Sequence, residues 1–231
     1  MPDTYSARME FRPDAGFYPK KTVPALLLIA ACGFLAWAGS LHAPFLLDDE
    51  SNIVKNAAIH SLWPPWPALL GGDGSGLGGR PVASYTFALN WAVSGPRVLG
   101  YRLTNLLIHI AAAFFLFGII RRTLTLPQMA QRYGRASLTL ALACALLWML
   151  HPVQTGAVTY VTQRIESLMG FFFLCSFYLS LRGWTAKRPV FWHAAGVISW
   201  FLGMGCKEVM VVAPFLILAH DSVFVHHGPK E

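Results

Sequence analysis

Apolar residues in this chain gather into long runs with few charges, separated by short polar stretches. The runs lie near residues 23–41, 103–120, 136–150, 168–181, 190–206 and 209–225. Most approach the ~20 residues that cross a hydrocarbon core as a helix. The third is short and is closed by His151-Pro152, and the sixth is interrupted by Pro214. The pattern predicts an all-α, polytopic membrane helical bundle of about six spans.

Three segments fall outside the spans. Residues 1–22 form a polar tail with Pro2, Pro13 and Pro19 and the cations Arg8, Arg12, Lys20 and Lys21. This tail is too long for a signal peptide, and SLHAP lacks small residues at both cleavage positions, so the first run is expected to be retained. Residues 42–102 form a long loop with too many Pro, Gly and polar residues to span. LWPPWP (Leu62 to Pro67) forbids a regular helix there, and GGDGSGLGG (Gly71 to Gly79) reads as a hinge or lid. PVASYTFALNWAV (Pro81 to Val93) reads as an interfacial helix, because Trp and Tyr settle at membrane surfaces. Residues 226–231 form a short tail.

Composition agrees. Of 231 residues, 55% are hydrophobic and 13% charged, about half the ~25% charge of a soluble domain. The net charge of +7 is a matter of topology and not of nucleic-acid binding, because the cations cluster at run ends. With the N-terminus inside, 12 of the 18 Lys and Arg fall on the inner side and six outside. Cys32, Cys144, Cys175 and Cys206 stand singly in or beside apolar runs, with no metal-ligand or disulfide spacing.

This topology puts several charges on one external side: Asp48, Asp49, Glu50, Arg80, Arg164, Glu166, Lys207 and Glu208. Two readings follow. They are ordinary loop charges, or they line a cavity for a phosphorylated lipid substrate. In the second reading the cations hold the phosphate while a carboxylate takes a proton from an incoming hydroxyl. Asn105 and His109 share a helix face and read as interhelical hydrogen-bond partners. Phe171 to Phe173 read as lipid contact or packing, and Gly203 and Gly205 as sites of close helix approach.

Five short motifs occur in order: FLLDDESNIVKN (Phe45 to Asn56), GRP (Gly79 to Pro81), GYRLTNLLIH (Gly100 to His109), HPVQTGAVTYVTQRIESL (His151 to Leu168) and CKE (Cys206 to Glu208), with Pro214 and Asp221 following. The set resembles the membrane part of the transmembrane and tetratricopeptide-repeat O-mannosyltransferase family and its bacterial relatives, which are GT-C glycosyltransferases. The resemblance implies a GT-C-like bundle and a polyprenyl-phosphate sugar as donor. It implies a protein or glycan hydroxyl as acceptor. It makes Asp48 or Asp49 the catalytic base, the same pair being the ligands of any divalent metal ion. It implies donor-phosphate binding by Arg80, Arg164 and Lys207, supported by Glu50, His151, Glu166 and Glu208.

Two departures stand out. Gly156 occupies the position after HPVQT where the family usually has an acid, and no 34-residue helical repeat follows. The chain therefore reads as a fragment or a truncated gene product. The expected setting is a bacterial inner membrane, with a cytoplasmic N-terminus and a periplasmic acidic loop. The alternatives are a non-catalytic membrane scaffold and a transporter. The latter is disfavoured because its ionisable residues belong near the bilayer midplane.

Overall fold

The computed structural model describes residues 19–72 and 74–225, so most of the N-terminal tail and the His226-His227 pair lie outside the described residues. The described residues are helical, with no strand. Ten α-helices follow in order: α1 (Pro19–Trp37), α2 (Trp66–Leu70), α3 (Pro81–Ser94), α4 (Val98–Leu124), α5 (Pro127–Tyr133), α6 (Ser137–Leu150), α7 (Thr155–Thr159), α8 (Arg164–Thr185), α9 (Pro189–Met204) and α10 (Ala213–Phe224).

Among the described residues, four stretches are long and apolar enough to cross a membrane: Lys21–Ser40, Val98–Leu124, Pro127–Leu150 and Val161–Thr185. α9 and α10 are shorter, at 16 and 12 residues. α4 is the central element, packing against α6 on one side and α8 on the other, and α8 in turn carries α9. At 27 residues it extends roughly 40 Å and carries Arg121 and Arg122 in its last turn, where cations suit a helix C-terminus.

Two apolar cores lie along α4. The first joins Ile29 of α1, Leu106, Ile110, Ala113 and Phe117 of α4, and Ala141, Ala145 and Met149 of α6. The second lies at the other end and is built largely by the 42–97 loop: Ile53, Ile59, Ala68, Leu77 and Phe87 meet Tyr101, Val161, Ile165 and Cys206. The long loop thus folds into a cap with its own buried centre.

Local chemistry explains how the loop folds. Residues 62–65 of the proline-rich stretch stay out of a helix, but against expectation its last two, Trp66 and Pro67, open α2, because Pro67 falls in the first turn where its missing N–H costs nothing. α2 ends on Gly71 at φ 87°, where a Cβ would meet the Leu77 carbonyl at 2.6 Å. The glycine-rich stretch is tied down by more than that contact. Leu77 is buried, and the Gly76 N–H donates to Asn52 Oδ1 at 2.7 Å. α3 forms as expected, but it buries Ala83, Ser84, Phe87 and Ala88 against the cap core.

Gly203, in the last turn of α9, and Gly205, just after it, act as expected of close-packing sites. A Cβ on Gly205 would stand 2.5 Å from Val82 Cγ2, and the Gly205 carbonyl accepts the Val82 N–H at 3.0 Å. A Cβ on Gly170, within α8, would meet nothing. Gly205→Ala should therefore destabilise the protein by about 1–3 kcal/mol through overpacking, and Gly170→Ala should not. Thermal unfolding in detergent micelles checks the pair, and equal midpoints would remove the close contact from the account.

Candidate functional site

The acidic loop after α1 turns sharply at Leu47, which takes φ 47° although it is not glycine. A β-carbon in that region costs on the order of 1 kcal/mol. The turn is closed by hydrogen bonds in both directions: Asp49 N–H donates to Leu46 O at 2.9 Å, and Leu46 N–H donates to Asp49 Oδ2 at 3.0 Å. Asp49 Oδ1 accepts from the N–H of Thr162 at 2.8 Å and from its hydroxyl at 2.7 Å. Asp49 is 0% exposed. Its charge also interacts with that of the buried Arg102, whose Nη2 donates to Pro44 O at 2.7 Å.

Asp48 stands in the opposite situation. Its side chain is exposed, while its backbone N–H donates to the Tyr160 hydroxyl at 3.1 Å. Burial foremost, and then the Asp48 and Asp49 charges, push the Tyr160 hydroxyl above its usual pKa. Glu50 pairs with Lys55 at 3.4 Å with both side chains exposed, a contact worth under ~1 kcal/mol.

Arg164 opens α8 and is 0% exposed. Its Nε donates to Asn105 Oδ1 at 2.7 Å, Nη1 to Thr86 O at 3.2 Å and Nη2 to Tyr101 O at 3.0 Å. Its plane lies over Phe87, 4.4 Å from the ring centre. The guanidinium joins α3, α4 and α8 without a carboxylate partner, and its donors are engaged by the protein's own oxygens. Asn105 completes the joint by donating to Val161 O at 3.2 Å, and one turn on His109 Nε2 bonds Met149 O at 2.9 Å. Both behave as the interhelical partners their shared face predicts.

Arg80 and Lys207 lie near the start of α3. Arg80 is half-buried at the N-cap of α3, with Nη1 donating to Gly76 O. The Val82–Gly205 bond brings this helix start against the turn that carries Lys207. Lys207 is half-buried and ion-paired with Glu166, one turn into α8. Glu208 is exposed beside it. His151 caps the end of α6, exposed, with Nδ1 accepting from Val153 N–H at 3.1 Å.

The structure thus brings together two groups: Asp48 and Asp49 with the 160–162 turn, and Arg80 with Lys207 and Glu166. α8 begins between them. Among the described residues no hydrogen bond or ion pair links Asp48 to Arg80, Arg164 or Lys207. A small cavity lies at the opposite, basic end of the bundle, lined by Arg122, Thr123, Trp184 and their neighbours, and none of the site residues borders it.

The acid pair does not make a metal cage in this arrangement. Both Asp49 oxygens are engaged, and among the described residues no group of three His, Cys, Asp or Glu could hold an ion. Cys206 is fully buried, with its Sγ donating to Leu202 O at 3.4 Å. Sequence reasoning missed Tyr160, Thr162 and Arg102. All three lie inside the quoted motifs, but nothing in their spacing shows that a loop more than 100 residues upstream would use two of them.

Over most of its length the chain is similar to protein O-mannosyl-transferases. It is 27% identical over 227 residues to human Protein O-mannosyl-transferase TMTC4, a match covering 89% of this chain and 30% of that protein. It is 29% identical over 226 residues to human Protein O-mannosyl-transferase TMTC2, covering 89% and 25%. With Protein O-mannosyl-transferase F38B6.6 of Caenorhabditis elegans it shares 26% over 165 residues, covering 68% and 23%. The chain spans less than a third of the length of these curated relatives. No family model matches the chain, and no solved structure matches it.

Arg164→Lys should destabilise the protein by on the order of 3 kcal/mol, because an ammonium cannot reproduce a three-way fork of charged hydrogen bonds. Arg80→Ala should shift stability by under ~0.5 kcal/mol. Unfolding midpoints in micelles separate the two, and an Arg164→Lys protein as stable as the parent would show that the joint is not needed.

Proposed function

We propose that this chain is the membrane part of a glycosyltransferase that moves a sugar from a polyprenyl-phosphate donor to a hydroxyl of a protein or glycan acceptor. Asp48 is the base. It is the exposed member of the acid pair, held by Tyr160 and by the Asp49–Thr162 anchor beneath it, and this asymmetry is the observation that carries the reading. The similarity to protein O-mannosyl-transferases supports the reaction class.

The acceptor oxygen attacks the anomeric carbon as its proton passes to Asp48, and the bond from that carbon to the phosphate oxygen breaks. Arg80 and Lys207 receive the departing lipid phosphate, Lys207 turning to it from Glu166. Arg164 holds α3, α4 and α8 in place and does not itself bind phosphate. Glu50, His151 and Glu208 border the site as exposed groups available to the acceptor. The positive-inside count supports a cytoplasmic N-terminus, with the site on the periplasmic face of a bacterial inner membrane.

Radiolabelled sugar transfer from polyprenyl phosphate in membranes tests the assignment. Asp48→Asn should lower the rate by about 10²–10⁴-fold, and Arg80→Ala or Lys207→Ala should weaken donor use. Asp49→Asn should act first on stability, because it breaks a buried, charge-assisted anchor. An undiminished rate in Asp48→Asn would exclude it as the base.

One observation favours a second reading, a non-catalytic scaffold. Gly156 stands where the resembling family has an acid, and a Cβ there would meet nothing. If the unaltered chain transfers no sugar and Gly156→Asp does, the scaffold reading holds.

A further inference from the structure

We infer that the Trp63–Leu70 segment is a membrane-surface anchor that dips into the lipid headgroup layer and holds the cap against the bilayer. Trp63 is 82% exposed, Trp66 67% and Leu70 73%. Trp66 and Leu70 are four residues apart on α2 and so share one face. The opposite side of α2 is built in: Ala68 is fully buried, and its carbonyl accepts the Ser84 hydroxyl at 2.5 Å. Trp66 and Leu70 therefore point outward from a short helix fixed to the core, and Trp63 stands exposed in the turn just before it.

Two further observations select lipid as the occupant. The whole stretch from His60 to Gly72 contains no Asp, Glu, Lys or Arg, so the surface offers no charge pattern to a polar partner. It offers only the indoles that favour the boundary between acyl chains and headgroups. The segment is also held near the membrane at both ends. The cap lies in sequence between two stretches able to span, Lys21–Ser40 and Val98–Leu124, and α2 packs on α3, which packs on α4 and α8. α3 was expected to be the interfacial element. Its aromatics instead turn inward, with Phe87 buried and Trp91 stacked on His60 at 3.5 Å. The inference is independent of the proposed sugar transfer.

The test uses the full chain reconstituted in phosphatidylcholine vesicles brominated either near the headgroup or near the acyl terminus. The Trp63→Phe/Trp66→Phe double variant is compared with the parent, since exposed Trp-to-Phe changes leave the core intact. The fluorescence lost in the double variant should be quenched about twofold more by headgroup-proximal than by deep bromines. Leu70→Trp in the double-variant background should restore a component with the same depth preference. Loss of a component quenched by aqueous iodide and by neither bromolipid would overturn the inference in favour of water. A component untouched by all three quenchers would overturn it in favour of a protein cover, such as a second copy of this chain.

Discussion

An ionised carboxylate withdrawn from water must recover its hydration from donors inside the protein. Asp49 does so with three: the Leu46 amide, the Thr162 amide and the Thr162 hydroxyl. Because the first donor lies in its own turn and the other two lie 113 residues away, the interaction fixes the acidic loop to the turn that precedes α8. The position of Asp48 follows from it. A residue adjacent to a locked, buried neighbour has little freedom of its own, and with the strained Leu47 on its other side its carboxylate is left facing outward.

Arg164 does for the helices what Asp49 does for the loop. A buried cation without a counter-ion is unfavourable unless its donors are satisfied. Here Asn105, Thr86 and Tyr101 supply the acceptors, and Phe87 supplies a ring face. Those four residues come from α3 and α4, so the cap cannot move relative to the bundle without stripping the guanidinium. The Val82–Gly205 backbone bond adds the turn after α9 to the same assembly. Anchoring of this kind fixes the separation between the exposed Asp48 and the half-buried Arg80 and Lys207.

The charges at this end fall into two kinds. Asp49, Arg102 and Arg164 are buried and spend their interactions on the protein. Asp48, Glu208 and His151 are exposed, Arg80 is half-buried, and Lys207 is paired with Glu166. Residue type does not separate the kinds, since each holds both acids and bases.

The sequence by itself determined what depends on local composition and spacing. Long apolar runs bring membrane helices, and Gly203 and Gly205 permit close contacts. Asn105 and His109, four apart, share a bonding face. Only the tertiary structure decided which of two adjacent aspartates is buried, that Arg164 serves as a joint, that α3 turns its aromatics inward, and that Trp63 and Trp66 are left outside. Each of those outcomes depends on partners more than a dozen residues away, often more than 50. Burial of a charge is a property of such partners, and a carboxylate does not carry in its own neighbourhood the address of the threonine that will satisfy it.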